Sequence, residues 1–105
     1  MTLNKFTALL KRTGYPVALR AFPKDKQPLA PYLCYTQPET NNFHADGIVY
    51  FSTFRIVVVL YTALRDLGAE ENVEAVFAEA NIVWTKDAAY NEREKLYEIT
   101  YEIEV

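Results

Sequence analysis

The stretch Ile48-Val-Tyr-Phe-Ser-Thr-Phe-Arg-Ile-Val-Val-Val-Leu-Tyr61 is the longest apolar run of the chain, and its reading decides the rest. Taken with a period of two, Tyr50, Ser52, Phe54, Ile56, Val58 and Leu60 share one face. Phe51, Thr53, Arg55, Val57, Val59 and Tyr61 share the other. β-Branched and aromatic residues dominate, and residues 56–59 would each lose χ1 freedom in a helix. Both faces are apolar toward the C-terminal end, which predicts a central strand covered on two sides. A membrane span needs about 20 apolar residues, and Ser52, Thr53 and Arg55 interrupt this run. The expectation is one long strand over 48–61 and no membrane association.

Immediately upstream, Pro38-Glu-Thr-Asn-Asn-Phe-His-Ala-Asp-Gly47 is irregular. Its paired asparagines and Asp46-Gly47 are turn formers, through local side-chain hydrogen bonds and tolerance of positive φ. Asp-Gly directly before the long strand is a hairpin signal. The preceding strand, Tyr32-Leu-Cys-Tyr-Thr36, is therefore expected to pair antiparallel with the long one. Connections of this length are usually mobile or functional, so Asn41, Asn42, Phe43, His44 and Asp46 are candidate partner-contact residues.

Farther out, Leu3, Phe6, Leu9 and Leu10 make the apolar stripe of a first helix, with Thr2 as its cap and Gly14 as its stop. Residues 17–22 read as a short strand and 23–31 as a polar, proline-punctuated loop. Downstream, 64–80 reads as a second helix through Val73, Val76, Phe77 and Ala80, with Gly68 pushing its continuous part toward residue 69 or 70 and Asn81 ending it. Residues 82–85 form a short strand, 86–91 a turn, and 93–105 a last strand. There Tyr97, Ile99, Tyr101, Ile103 and Val105 alternate with Glu98, Thr100, Glu102 and Glu104. The prediction is a single α+β domain over 1–105: a two-layer sandwich whose mostly antiparallel sheet of four to five strands carries two helices on one face.

The chain has 105 residues, half of them hydrophobic, enough to close one core without disulfides or metal. Cys34 is the only cysteine, and a small buried strand residue is its expected role. The N-terminus lacks the pattern of a secretion signal, which predicts folding in a cytoplasm. The net charge of −3 is unevenly spread. Residues 1–31 carry +5, residues 32–65 balance, and residues 66–105 carry −8. Two readings follow: solvated surfaces of opposite sign, or complementary patches that join one subunit to the next. In the second, Lys11, Arg12 and Arg20 would meet acids such as Glu70, Glu71 and Glu74.

Chemistry is sparse. His44 is the only histidine, and no serine or cysteine stands at a recognisable spacing from it. The three glycines are isolated, so no phosphate-binding loop is present. Glu98, Glu102 and Glu104 allow a cation site or an acid/base pair, but on an alternating strand face they also read as solubilising, edge-protecting charges. The acidic balance argues against phosphate binding as the main task. Tyr32, Tyr35, Phe51 and Phe54 read as core rather than a stacking platform for bases. The residues alone predict a non-enzymatic interaction protein without cofactor or metal.

Pro31-Tyr-Leu-Cys-Tyr35, Asn41-Asn-Phe-His-Ala-Asp-Gly47, Tyr50, Leu60-Tyr61 and the ending Glu94-Lys-Leu-Tyr-Glu-Ile-Thr-Tyr-Glu-Ile-Glu-Val105 carry a resemblance. Together they resemble the small tail-completion or tail-terminator proteins of long-tailed bacteriophages and prophages of Gram-positive hosts. The resemblance implies an α+β virion subunit that assembles as a homo-oligomeric ring, often a hexamer, at the head-proximal end of the tail. Such a ring caps the tail tube protein and docks onto head connector proteins, after assembly in the host cytoplasm. DNA passes through it without specific binding, and an acidic lumen suits that passage; Glu98, Glu102 and Glu104 are the candidates for its lining. A head-completion protein of the same virion region and a cellular small-ligand-binding module are the alternatives.

Overall fold

A computed structural model describes residues 3–37, 44–45, 48–49 and 55–104. The elements in chain order are α1 (Leu3–Lys11), β1 (Val17–Leu19), a short 3-10 turn (Lys24–Lys26), β2 (Tyr32–Thr36), β3 (His44–Ala45), β4 (Ile48–Val49), β5 (Arg55–Thr62), α2 (Leu67–Glu79), β6 (Trp84–Asn91) and β7 (Leu96–Glu104). Five strands form one sheet in the order β1-β2-β5-β7-β6, and β3 and β4 form a separate two-stranded sheet. β1 and β2 run parallel; every other pair is antiparallel. The α+β class and the antiparallel β2–β5 pair are as expected from the sequence.

The core lies between the helices and one face of the sheet. Ile56, Val58 and Leu60 of β5 are buried together with Ile99, Tyr101 and Ile103 of β7. Phe6, Leu9 and Leu10 of α1 and Val73, Val76 and Phe77 of α2 join the same cluster. Phe77 is its aromatic hinge, 5.6 Å from Tyr101 edge-on, 5.8 Å from Trp84 and 6.4 Å from Phe6 in a stack. Asp66 caps α2 by accepting from the Ala69 backbone N–H at 3.0 Å. The cap places the helix start at Leu67, so Gly68 lies inside the first turn and does not delay it. Gly14 (φ 85°) and Asn81 (φ 57°) turn the chain beyond the two helices, as their left-handed tolerance allows.

Three expectations are corrected, and a fourth is only partly covered. Of the strand expected over 48–61, Arg55–Thr62 lies in the main sheet and Ile48–Val49 pairs with His44–Ala45. In the main sheet β2 pairs with β5 as far as Val57 and β7 as far as Arg55. The Asp46-Gly47 signal thus falls between β3 and β4, although these two residues and 50–54 lie outside the described residues. Strand β5 is not covered on both faces. Val57, Val59 and Tyr61 are only half-buried, because both helices occupy the other side.

The expected turn at 86–91 is strand. All eight residues of β6 pair with β7, from Trp84 opposite Ile103 to Asn91 opposite Leu96. Its polar, alanine-containing sequence hid this, and the long regular β7 imposes it, as tertiary pairing overrides weak strand propensity. Finally, β1 stops at Leu19, where Arg20 takes a φ of 67° and turns the chain back across the sheet.

Leu60→Ala, at a fully buried position, is expected to lower unfolding free energy by about 3 kcal/mol through lost burial and a residual cavity. Val59→Ala, on the half-buried face, is expected to lower it by about 1 kcal/mol or less. Urea denaturation of the two variants measures the difference; equal losses would show that β5 is covered on both sides after all.

Candidate functional site

The sheet face away from the helices is open over its middle. Cross-strand partners share a face, so the register places Thr36, Val57 and Glu102 in one row, Cys34, Val59, Thr100 and Asp87 in the next, and Tyr32, Tyr61 and Glu98 in a third. The third row is roofed by the chain after β1. Phe22 meets Tyr32 edge-on at 5.5 Å, Tyr32 stacks on Tyr61 at 4.8 Å, and Gln27 Nε2 donates to the Tyr32 hydroxyl at 2.7 Å. The expected polar loop over 23–31 is therefore partly a lid. Burial pushes the Tyr61 hydroxyl up to about 12, with Cys34 and Glu98 adding to it. Burial also raises the Cys34 thiol, so it stays protonated at neutral pH and behaves as the small apolar residue expected. On the exposed rows Glu102 and Asp87 are solvent-facing and Glu98 is half-buried.

The helix side holds a different charge cluster. Glu70 is 1% exposed. Its carboxylate accepts from Arg65 Nε at 2.8 Å and Nη2 at 3.2 Å, and from Lys86 Nζ at 3.1 Å. Lys86 also donates to Glu74 Oε2 at 3.0 Å, and the Tyr101 hydroxyl donates to the same oxygen at 2.8 Å. The hydrogen bond from Arg65 holds the Glu70 carboxyl below the usual range, against its burial and with help from Lys86. Tyr101 is raised, first by burial and then by its bond to Glu74. This network ties the edge strand β6 to the first turns of α2. Glu70 is thus engaged inside the subunit and is not the surface charge that the sequence reading placed in a contact with a second copy.

The other candidates are dispersed. Lys11 is exposed at the end of α1, and Arg12 Nη2 donates to Glu79 Oε2 at 2.6 Å, joining the ends of α1 and α2. Arg20 lies elsewhere, lining a groove of about 220 Å³ on the open face with Phe22, Tyr61, Glu94 and Glu98. Lys11, Arg12 and Arg20 therefore do not form one patch. Glu71 is exposed and Glu74 half-buried on α2. Asn41, Asn42, Phe43 and Asp46 lie outside the described residues; His44 is described only as backbone of β3, opposite Val49. Of the acids of β7, the alternation places Glu98 and Glu102 on the open face, while Glu104 is described as backbone paired with Arg55.

One feature escaped the sequence reading. Where β5 ends, a groove of about 400 Å³ is lined by Pro31, Thr62, Leu64, Arg65 and Leu67. Leu64 is 78% and Leu67 61% exposed, and Leu29, two residues ahead of Pro31, is 92% exposed. Thr62 is buried beside them, and among the described residues its Oγ1 has no hydrogen-bond partner. The available signal was the run Thr62-Ala-Leu-Arg-Asp-Leu67, whose leucines fall outside the helical stripe. Among the described residues no group of three or more His, Cys, Asp or Glu side chains is placed to hold a metal ion. Among them, too, no helix is long and apolar enough to cross a membrane. No protein-family model matches the chain, and no curated protein matches it.

Glu70→Gln leaves Arg65 and Lys86 without their shared anion and is expected to cost about 1–3 kcal/mol at neutral pH. The folded-state pKa of Glu70 is depressed, so its contribution is complete above the unfolded carboxylate value of about 4.3. It is lost as pH falls through the lower folded value. The stability gap between parent and variant should therefore be constant from pH 7 to about 5 and close below about 4. Denaturation midpoints across that range test this, and a gap that widens in acid contradicts it.

Proposed function

We propose that this chain is a non-enzymatic virion structural protein: a tail-terminator or tail-completion subunit that forms a homo-oligomeric ring, such as a hexamer, capping the tail tube. The observation that carries a protein-contact role is the apolar groove at the end of β5. Leu64 and Leu67 stand largely in water beside a buried hydroxyl that has no partner among the described residues, although the core between helices and sheet is closed. Exposed apolar clusters of this kind mark contacts with other chains, and a partner's polar group entering the groove would satisfy Thr62. The sequence resemblance then supplies the class of assembly.

Closing a ring requires two different patches per subunit, joined head to tail. Apolar contact holds such an interface, while exposed ion pairs, each contributing about 0–1 kcal/mol, steer its register. Of the charges the sequence offers for steering, Lys11, Arg20 and Glu71 are exposed; Arg12 is shared with Glu79. The acids of the open face, Glu98 and Glu102 with Asp87, suit a lumen through which DNA slides without being held, since like charge repels phosphate. In this reading the partners are further copies of the chain, the tail tube protein and the head connector proteins, with neither cofactor nor membrane. The site of action is the head-proximal end of the virion tail, after assembly in the host cytoplasm. A head-completion subunit has the same chemistry and differs in binding connector rings rather than tubes.

Native mass spectrometry, combined with electron microscopy of the chain mixed with purified tail tubes, tests the proposal. The expected result is a closed oligomer that caps tube ends. Leu64→Asp with Leu67→Asp should keep the fold and lose capping, because both side chains are already mostly exposed. Higher salt should slow association more than it weakens completed rings, since screening shortens the range of steering. A strict monomer that leaves tubes uncapped would sink the reading, and binding to connector rings alone would move it to the head-completion role.

A further inference from the structure

The two edges of the five-stranded sheet are unequal. One is β1, three residues long and ended by the turn at Arg20. The other is β6, eight residues long, with residues 85–90 all exposed and, among the described residues, with β7 as its only strand partner. Its outer side therefore presents a full row of backbone donors and acceptors. Natural edges of this length are guarded by charges, above all lysine. Here Lys86 is turned away from that duty, its ammonium held by Glu70 and Glu74 of α2 at 3.1 and 3.0 Å. The middle of the edge is Ala88-Ala89, small and uncharged.

We infer that β6 pairs antiparallel with β6 of a second copy across a two-fold axis normal to the sheet. Length selects this occupant: among the described residues, only β6 offers an eight-residue edge to match. The rotation keeps each side chain on its own face, so residues of the same parity oppose one another. Centring on Asp87 would set two carboxylates face to face, which is unfavourable. Centring on Ala88 removes that conflict. Asp87 then lies opposite the partner's Ala89, and Thr85 opposite the partner's Asn91. Lys86 lies opposite the partner's Tyr90, whose ring is 48% exposed and can cover the lysine stem. The product is a continuous ten-stranded sheet with all four helices on one side.

The inference stands on the edge alone and is independent of the phage reading. A two-fold contact is not the head-to-tail contact that closes a ring, so it joins free subunits, and the two contacts can fail separately.

Sedimentation equilibrium of the full chain over a wide concentration range, without virion components, is the test. The parent should show a monomer–dimer equilibrium. Ala89→Asp sets a carboxylate against the partner's Asp87, twice per dimer by symmetry, and should raise the dissociation constant at least about tenfold. Ala89→Lys places the opposite charge there and should lower it. Loss of the alanine alone would shift both variants in the same direction, so the opposite signs identify the register. Circular dichroism confirms that each variant is folded. A parent that never self-associates overturns the inference, as does a dimer or larger oligomer that ignores both substitutions; the latter leaves the ring reading standing.

Discussion

The structure depends on β5 being flanked by two antiparallel neighbours and covered on one side only. Its ladder to β7 runs from Arg55 opposite Glu104 to Thr62 opposite Tyr97, and its ladder to β2 covers residues 57–61. Ile56, Val58 and Leu60 point into the helices and are at most 1% exposed. Their neighbours Val57 and Val59 point the other way, onto a surface that, among the described residues, the chain after β1 partly roofs. One-sided cover fixes the register of every strand, because a one-residue slip would exchange a closed core for a half-wet face. It also leaves an acidic sheet face and, among the described residues, an edge strand with a neighbour on one side alone.

The edge strand needs separate anchoring, since β6 contributes little to the core beyond Trp84. The Glu70 network supplies it. Arg65 and Lys86 converge on one buried carboxylate, and Tyr101 completes the cluster through Glu74. Buried ion pairs are weak evidence for net stability but are costly to break on one side. What this one does geometrically is join β6, β7 and α2. The same pull draws the only lysine of β6 off the outer edge, so the interaction that secures the strand inward leaves it open outward.

Much of this fold was legible in the sequence, and the failures have physical causes. The stripes Phe6, Leu9, Leu10 and Val73, Val76, Phe77 gave both helices, and the alternation after Leu96 gave β7, because each segment buries one face at its own period. Ile48–Val49 reads as part of the main-sheet strand because the apolar run carries no mark of its partner, and it pairs with His44–Ala45. Residues 86–91 were misread because their own composition is polar and their strand state comes from β7. At the site, Glu98 and Glu102 could be read from alternation alone, whereas Asp87 could not, because residues 86–91 read as a turn. The engagement of Glu70 could not, since its partners Arg65 and Lys86 lie five and sixteen residues away and meet it only in the folded chain. The groove at Leu64 and Leu67 was missed for a related reason: apolar residues in a connection carry no periodicity.

Hydrogen–deuterium exchange of the full chain at low and at high concentration tests most directly that the sheet is closed toward the helices and open at β6. Amides of β5 and β7 should be the slowest at both concentrations, because they lie inside paired ladders. The outward-facing amides of β6 should exchange quickly in the dilute sample and slow down in the concentrated one. Uniform, concentration-independent protection across β6, or exchange in β5 as fast as in β6, would contradict it.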